Sequence, residues 1–243
     1  GRGAEQRADA ARERGRGVTE EGELPEGWTA ASIGEIAEVV GGGTPKASDP
    51  ANFAERGHPW ITPADLSGFR SIQIRRGRRD LSDAGLRSSS AKVVPAGAVL
   101  MSSRAPIGYL AIAENPVCTN QGFRSFVCGP RVVPEYLFHW LAFSRERIQA
   151  MGSGSTFAEV SGSRCKEIPI RFPCIAEQER IAALAGAEIK SVNDFQDRLV
   201  SGRTVLRRFR RAVLAAAYDG RLTGHDQSDW SETSLGDIFS VQT

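Results

Sequence analysis

The sequence predicts an α+β protein in which a sheet-containing domain is followed by one long helix of the coiled-coil type. Between Leu24 and about Phe172, short apolar runs alternate with Gly, Pro, Ser and Asp, a texture typical of strands joined by turns. From Glu177 to about Tyr218 the chain has no proline, and apolar residues recur every three or four positions. These two patterns predict a domain at 23–175 and a helix at 176–219.

A repeated segment is the third observation behind this organisation. The residues 28–36 return as 230–238, with Trp, Ser, Gly and Ile at matching positions. The offset of about 200 residues is far longer than the roughly 20–50 residues of a solenoid repeat. The repeating unit is therefore a whole domain plus a connector, and we expect 220–243 to hold a linker and the start of a second, truncated domain.

The predicted strands follow one another along the first domain. They are centred on residues 39–40, 60–62, 93–94, 98–102, 109–113 and 123–128. One helix interrupts them: Pro134 suits a first helical turn, apolar residues recur from Tyr136 to Ile148, and Gly152 follows. We expect this helix to run without a break to Ala150.

The long helix carries an apolar seam at heptad spacing for about five repeats. Glu188 and Gly202 interrupt it. The candidate interface residues are Ile181, Val192, Phe195, Leu199, Leu206, Phe209 and Val213. A helix of this length cannot bury its seam on the preceding domain alone, so we expect a partner helix. The alternative is an ordinary core helix packed on its own domain.

Composition excludes several classes of protein. The net charge of +2 does not by itself indicate nucleic acid. No apolar run approaches the roughly 18 residues of a membrane helix, and no secretory signal is visible, so we expect a cytoplasmic protein. Residues 1–22 are expected to be a disordered leader. The four cysteines form no Cys-x-x-Cys pair, which predicts free thiols and neither a metal nor a cofactor.

No catalytic constellation is apparent. The glycine run at 41–46 lacks the Gly-Lys-Ser/Thr ending of a phosphate-binding loop. Residues 115–118 lack the second proline and the aromatic residue of a base methyltransferase, and the Glu-x-Lys at 188–190 lies in the long helix. The chain is therefore predicted to bind a ligand rather than to convert one, with no catalytic residue.

Basic and polar side chains concentrate in the first domain. Five arginines crowd one stretch around Ile72–Ile74, where only Asp80 is a nearby carboxylate in sequence. Arginines can hold phosphates, and Asn, Gln and Arg in loops can read base edges. The candidate DNA-binding residues are Lys46, Thr62, Arg70, Arg75, Arg76, Arg78, Arg79, Ser103, Arg104, Asn120, Gln121 and Arg124. The alternatives are a solvated hairpin and turn-capping roles.

A second basic cluster lies on the long helix. It consists of Arg203, Arg207, Arg208, Arg210 and Arg211. Arg207 and Arg211 share a helix face away from Leu206 and Phe209. The cluster is compatible with a DNA backbone, with an acidic partner subunit or with a solvated face.

Several short motifs occur in an order that resembles the specificity subunit of type I restriction-modification enzymes. The resemblance covers residues 24–243. The motifs lie at 24–28, 42–45, 59–62, 102–108, 119–123, 154–157, 168–170 and 175–181. Residues 208–217 and 220–223 are similar to the end of that family's helical spacer.

This resemblance implies a non-catalytic protein with a target-recognition domain that reads one half of a bipartite DNA site. It implies methyltransferase subunits docked on the chain and a restriction subunit that translocates DNA, with methyl donor and ATP belonging to those partners. Because one recognition domain and one spacer helix are present, we expect the chain alone to form a two-fold homodimer through its helix. The alternatives are a remnant scaffold that acts through its helix and the recognition part of a fused methyltransferase-nuclease.

Overall fold

The computed structural model describes residues 24–104, 106–153, 158–222, 224, 231 and 233–234. The expected leader at 1–22 and most of the second repeat copy at 230–238 lie outside these residues. The chain divides into two compact units, one that ends at Ala185 and one that begins at Gly186. No described helix is long and apolar enough to cross a membrane.

The first unit contains two mixed five-stranded sheets and a two-stranded sheet. The described strands are β1 (Thr29–Ser32), β2 (Ala37–Gly41), β3 (Phe53–Ala54), β4 (His58–Ile61), β5 (Gln73–Ile74), β6 (Arg79–Leu81), β7 (Val93–Val94), β8 (Val99–Ser102), β9 (Leu110–Ala113), β10 (Val117–Thr119), β11 (Phe123–Cys128) and β12 (Pro169–Phe172). One large sheet has the order β3-β6-β4-β10-β7, the other β2-β11-β8-β9-β5, and β1 pairs with β12. Parallel pairing joins β4 to β10 and β5 to β9.

The described helices complete the two units. They are α1 (Ile33–Ile36), α2 (Asp83–Arg87), α3 (Pro134–Phe143), α4 (Arg145–Ala150), α5 (Gly162–Glu167) and α6 (Ile175–Tyr218), with 3-10 turns at Pro50–Asn52 and Pro63–Asp65. The predicted fold class, α+β with a long helix, is confirmed.

Strand β8 shows how the core is organised. All of its residues are buried, because the sheet that contains it is covered on both faces. Successive side chains of a strand point to opposite faces, so Val99 and Met101 enter the apolar cluster that contains Leu137, whereas Leu100 enters the one that contains Ile61. Full burial of such a side chain contributes about 1.5–3 kcal/mol.

The first copy of the repeated segment forms β1 and α1, and β2 begins directly after it. The Glu35 carboxylate accepts hydrogen bonds from the Ser32 backbone N–H (2.6 Å) and hydroxyl (2.8 Å), which lower the pKa of Glu35. Ile33 and Ile36 are buried, and a Cβ on Gly34 would lie 2.9 Å from the Lys166 Cβ. The Ser-Ile-Gly-Glu-Ile pattern is therefore a capped helical turn packed closely against α5.

The predicted single helix from Pro134 to Ala150 is wrong in one respect. Ser144 has φ −82° and ψ 6°, and it separates α3 from α4. Leu141 before the break and Ile148 after it enter the same apolar cluster. The apolar spacing therefore continues through the break, which is why the sequence pattern carries no sign of it.

The long helix α6 runs over 44 residues, one residue earlier at each end than predicted. At about 1.5 Å per residue it is roughly 66 Å long. In its first turns Gln178 and Ala182 are buried and Ile181 packs against the core of the first unit. Ile181 therefore has a partner within its own domain, which corrects its assignment to the free seam.

The rest of the predicted seam is exposed. In the second unit, Phe195 is 61% and Phe209 is 66% exposed. Val192, Leu199, Leu206 and Val213 are exposed as well. Every seam residue of this unit is therefore available to a partner helix.

Candidate nucleic-acid interface

Four loops meet at one edge of the first unit, and we call residues 42–46, 62–65, 103–104 and 120–122 the loop face. Strands β4 and β10 are parallel, so their carboxyl ends lie side by side, and Asn120 N–H donates to the Ile61 carbonyl at 3.0 Å. Gly43 N–H donates to Thr119 O at 2.9 Å, and Ser103 N–H donates to Gly122 O at 2.7 Å. Residues far apart in sequence thus form one surface.

Two glycines allow the loop after β2 to approach this edge closely. A Cβ on Gly42 would lie 2.0 Å from the Asn120 carbonyl oxygen, and one on Gly43 would lie 2.1 Å from the Ala91 nitrogen. Trp60 Nε1 donates to the Gly43 carbonyl at 3.1 Å. The two glycines of the Gly-Gly-Thr-Pro motif are therefore a packing requirement of the loop face.

The amide side chains of the loop face differ in exposure. Gln121 is exposed, and its Oε1 accepts a hydrogen bond from the hydroxyl of Thr44, which is exposed too. Asn120 is half-buried, and its Oδ1 accepts from Gly122 N–H at 3.0 Å. Gln121 therefore presents a polar group outward, whereas Asn120 shapes the turn.

Thr62 acts within its own loop. Its backbone N–H and its hydroxyl both donate to Asp65 Oδ2, at 2.8 and 2.6 Å. The same carboxylate accepts from Arg78 N–H at 3.1 Å and lies 3.7 Å from the Arg78 guanidinium. Asp65 therefore joins the loop face to the arginine-rich segment.

The arginine segment, residues 70–79, is better neutralised than the sequence indicates. Arg76 lies 3.0 Å from the buried Asp80 carboxylate, and Arg75 lies 4.0 Å from Glu114. Asp65 pairs with Arg78 in the same way. Three carboxylates therefore neutralise this segment, whereas the sequence indicated Asp80 alone.

The members of the segment are not equivalent. Arg75 and Arg78 keep 78% of their side chains exposed. Arg79 stacks over the Phe53 ring at 4.3 Å and lies 5.8 Å from the Trp60 ring. Arg70 is exposed. Arg76, held by a buried carboxylate, has a structural role.

Glu159 forms ion pairs with the two remaining candidate arginines. Its carboxylate lies 2.8 Å from Arg104 and 3.0 Å from Arg124. Arg124 is 17% exposed and also donates to the Phe123 carbonyl at 2.8 Å. Arg104 is about half exposed, so it is the member of this cluster that can reach a ligand.

Ser103 is the one candidate whose side chain is fully enclosed. Its exposure is 0%, and its hydroxyl has no hydrogen-bond partner among the described residues. We therefore leave Ser103 out of the proposed contact surface. Lys46 is exposed at the rim of the loop face and remains in it.

Three of the four cysteines of the unit are buried or half-buried, whereas Cys174 is exposed. Burial raises the pKa of the Cys118 and Cys128 thiols to about 12 and that of Cys165 to about 11. His58 pairs with Asp83 at 2.8 Å, and this contact lowers the pKa of Asp83. Within the described ranges, no group of three or more His, Cys, Asp and Glu side chains could hold a metal ion.

Comparison with protein families and with individual relatives gives a consistent result. The family described as "Type I restriction modification DNA specificity domain" matches residues 25–184. The type I restriction enzyme MjaIX specificity subunit of Methanocaldococcus jannaschii is 34% identical over 236 residues, covering 93% of this chain and 54% of the relative. The StySPI specificity subunit of Salmonella potsdam is 28% identical, covering 90% and 49%. The chain spans about half the length of these relatives.

Solved structures share the fold. A chain from a structure on the assembly and conformational transition of the type I R-M system has a TM-score of 0.71 at 22% identity, covering 88% of this chain and 54% of that one. The HsdS subunit from Thermoanaerobacter tengcongensis has a TM-score of 0.62 at 22% identity, covering 83% and 47%.

Proposed function

The chain belongs to the family of type I restriction modification DNA specificity domains, and from this membership we propose that it reads one half of a bipartite target in duplex DNA. The relatives that support the proposal are named type I restriction enzyme specificity subunits. In this proposal residues 23–175 are the target-recognition domain, 176–219 the spacer helix and 220–243 a linker with the start of a second domain.

The convergence of four loops at one edge is the observation that carries the proposal. The exposed Gln121 and Thr44 supply hydrogen-bonding groups that can pair with base edges, as a glutamine amide does with adenine in the major groove. The exposed Arg75 and Arg78 supply cations for phosphates. Base readout thus falls to the loop face and phosphate contact to the arginine segment.

The proposed chain contributes recognition and no chemistry. Its partners are duplex DNA, methyltransferase subunits docked on it and the restriction subunit, in the cytoplasm, and we assign it no cofactor. The exposed seam of α6 supports a helical partner for this element. For the chain expressed alone, that partner is a second copy of the helix.

Affinity for a random-sequence duplex at several salt concentrations tests the DNA contact. Each phosphate contact contributes about −0.9 to the slope of log affinity on log salt. We expect the double variant Arg75→Gln/Arg78→Gln to make the slope less negative by about 1.8. Charge reversal at Arg76 is avoided because it would place a carboxylate against the buried Asp80.

The matched control is Arg180→Gln/Lys190→Gln, which removes the same charge from the exposed start of α6. It should leave the slope within error of the unmodified chain. A slope that Arg75→Gln/Arg78→Gln does not change would contradict phosphate contact by the arginine segment.

A further inference from the structure

The long helix is divided by charge along its length. From Glu177 to Asp197 it carries five carboxylates and two cations. From Arg198 to Tyr218 it carries six arginines and neither Asp nor Glu. The proposed function makes no use of this basic half.

Three of these arginines lie on the side of the helix opposite the apolar seam, and two more flank the seam. At about 100° per residue, Leu206, Phe209 and Val213 fall within roughly 60° of one another. Arg207, Arg208 and Arg211 lie at least about 100° from each of these three residues. Arg203 and Arg210 lie roughly 40–60° from Leu206, beside the seam, and we call the five arginines together the arginine stripe. A partner helix on the seam would therefore leave Arg207, Arg208 and Arg211 uncovered.

The arginine stripe has no counter-charge in the described part of the chain. All five side chains are exposed, and no described residue forms an ion pair or a hydrogen bond with them. Arg203, Arg207 and Arg211 are spaced four residues apart, so their charges repel one another. An external polyanion would relieve this repulsion.

We propose that the arginine stripe is a second, sequence-independent contact for the phosphate backbone of duplex DNA. This inference rests on the proposed function, since it takes the same duplex as ligand. The stripe consists of arginines alone, and the planar guanidinium matches phosphate geometry better than an ammonium does. Thr204 lies on this side within the stripe, and the exposed Val200 and Leu214 lie on the same side beyond its two ends.

The salt dependence of affinity for the random duplex tests the inference on the full chain. The double variant Arg207→Gln/Arg211→Gln should make the slope of log affinity on log salt less negative by about 1.8. The loss should be the same for duplexes of different sequence, because phosphates carry no sequence information. Circular dichroism verifies that the helix persists in the variant.

Controls separate this inference from the proposed function. Arg180→Gln/Lys190→Gln removes the same charge from the acidic half of the same helix and should leave the slope unchanged. An effect of the stripe pair without an effect of Arg75→Gln/Arg78→Gln would support the stripe and contradict phosphate contact by the arginine segment. The reverse result would contradict the stripe alone, and failure of the unmodified chain to bind the duplex would contradict both.

An acidic protein is the rival ligand. If the arginine stripe binds an acidic protein, Arg207→Gln/Arg211→Gln would leave the salt slope for duplex DNA unchanged. The same variant would abolish binding of poly-glutamate. That combination would overturn the proposal. Equal slope changes in the stripe pair and the control pair would overturn it as well, since net charge alone would then explain the effect.

Discussion

Gln178 holds the start of the long helix against the first unit. Its side chain is fully buried; Nε2 donates to the Arg131 and Pro173 carbonyls, each at 2.9 Å, and Oε1 accepts from Val133 N–H at 2.9 Å. One amide thus satisfies three backbone groups that burial would otherwise leave unpaired. The glutamine of the 175–181 motif therefore serves to pair these three backbone groups.

Removing this amide should destabilise the chain. We expect Gln178→Ala to lower the free energy of unfolding by about 3 kcal/mol, because each buried polar group left without a partner costs about 1–3 kcal/mol. Urea unfolding measured by circular dichroism checks this. The neighbouring Glu179 is exposed, so Glu179→Ala should change stability by less than about 0.5 kcal/mol. Equal stability of the two variants would contradict the role assigned to Gln178.

The arginines of the first unit show what residue types alone leave undetermined. The sequence predicts a basic surface, and it correctly places arginines near the loops. It does not distinguish Arg76, held by a buried carboxylate, from Arg75 and Arg78, which are largely exposed. The carboxylates Asp65 and Glu114 come close to them only through tertiary folding. Burial of Ser103 depends on the same long-range packing.

At the level of elements, the local sequence pattern predicts the helices and strands that local interactions determine. The long helix and the core strand β8 follow from apolar periodicity and turn residues. Strand β1 was not predicted, because its half-exposed residues Thr29–Ser32 gain strand structure by pairing with β12, about 140 residues later. The pairing partner is not visible in either segment alone.

The exposed seam of α6 predicts self-association of the chain when it is expressed alone. Light scattering at micromolar concentration should give a dimer. Phe195→Asp/Phe209→Asp should weaken it at least about 100-fold, because burying one phenylalanine contributes about 1.5–3 kcal/mol and 1.4 kcal/mol corresponds to a factor of ten.

The control variant Gln196→Asp/Thr204→Asp changes exposed polar residues of the same helix that lie off the seam. It should remain dimeric. A monomer for the unmodified chain, or a dimer that survives both aspartates on the seam, would contradict pairing through these residues.

At the scale of the whole molecule, the fold brings the loops of the loop face together, and the sequence alone does not show this. The sequence identifies polar residues after several strands, but the loops at 62–65 and 120–122 are nearly 60 residues apart. The parallel pairing of β4 with β10 brings them together. Family membership, by contrast, rests on motif order along the chain, and the match to residues 25–184 confirms it.

Selection from a pool of random duplexes tests the central claim, that the loop face reads DNA sequence, most directly. The unmodified chain should enrich a short half-site, and Gln121→Ala should lose preference at one or two of its positions, with a discrimination of about 1–3 kcal/mol removed. Gln196→Ala, which truncates an exposed glutamine of the long helix, should enrich the same half-site as the unmodified chain. Identical enriched sequences for Gln121→Ala and the unmodified chain, or no enrichment at all, would contradict the account.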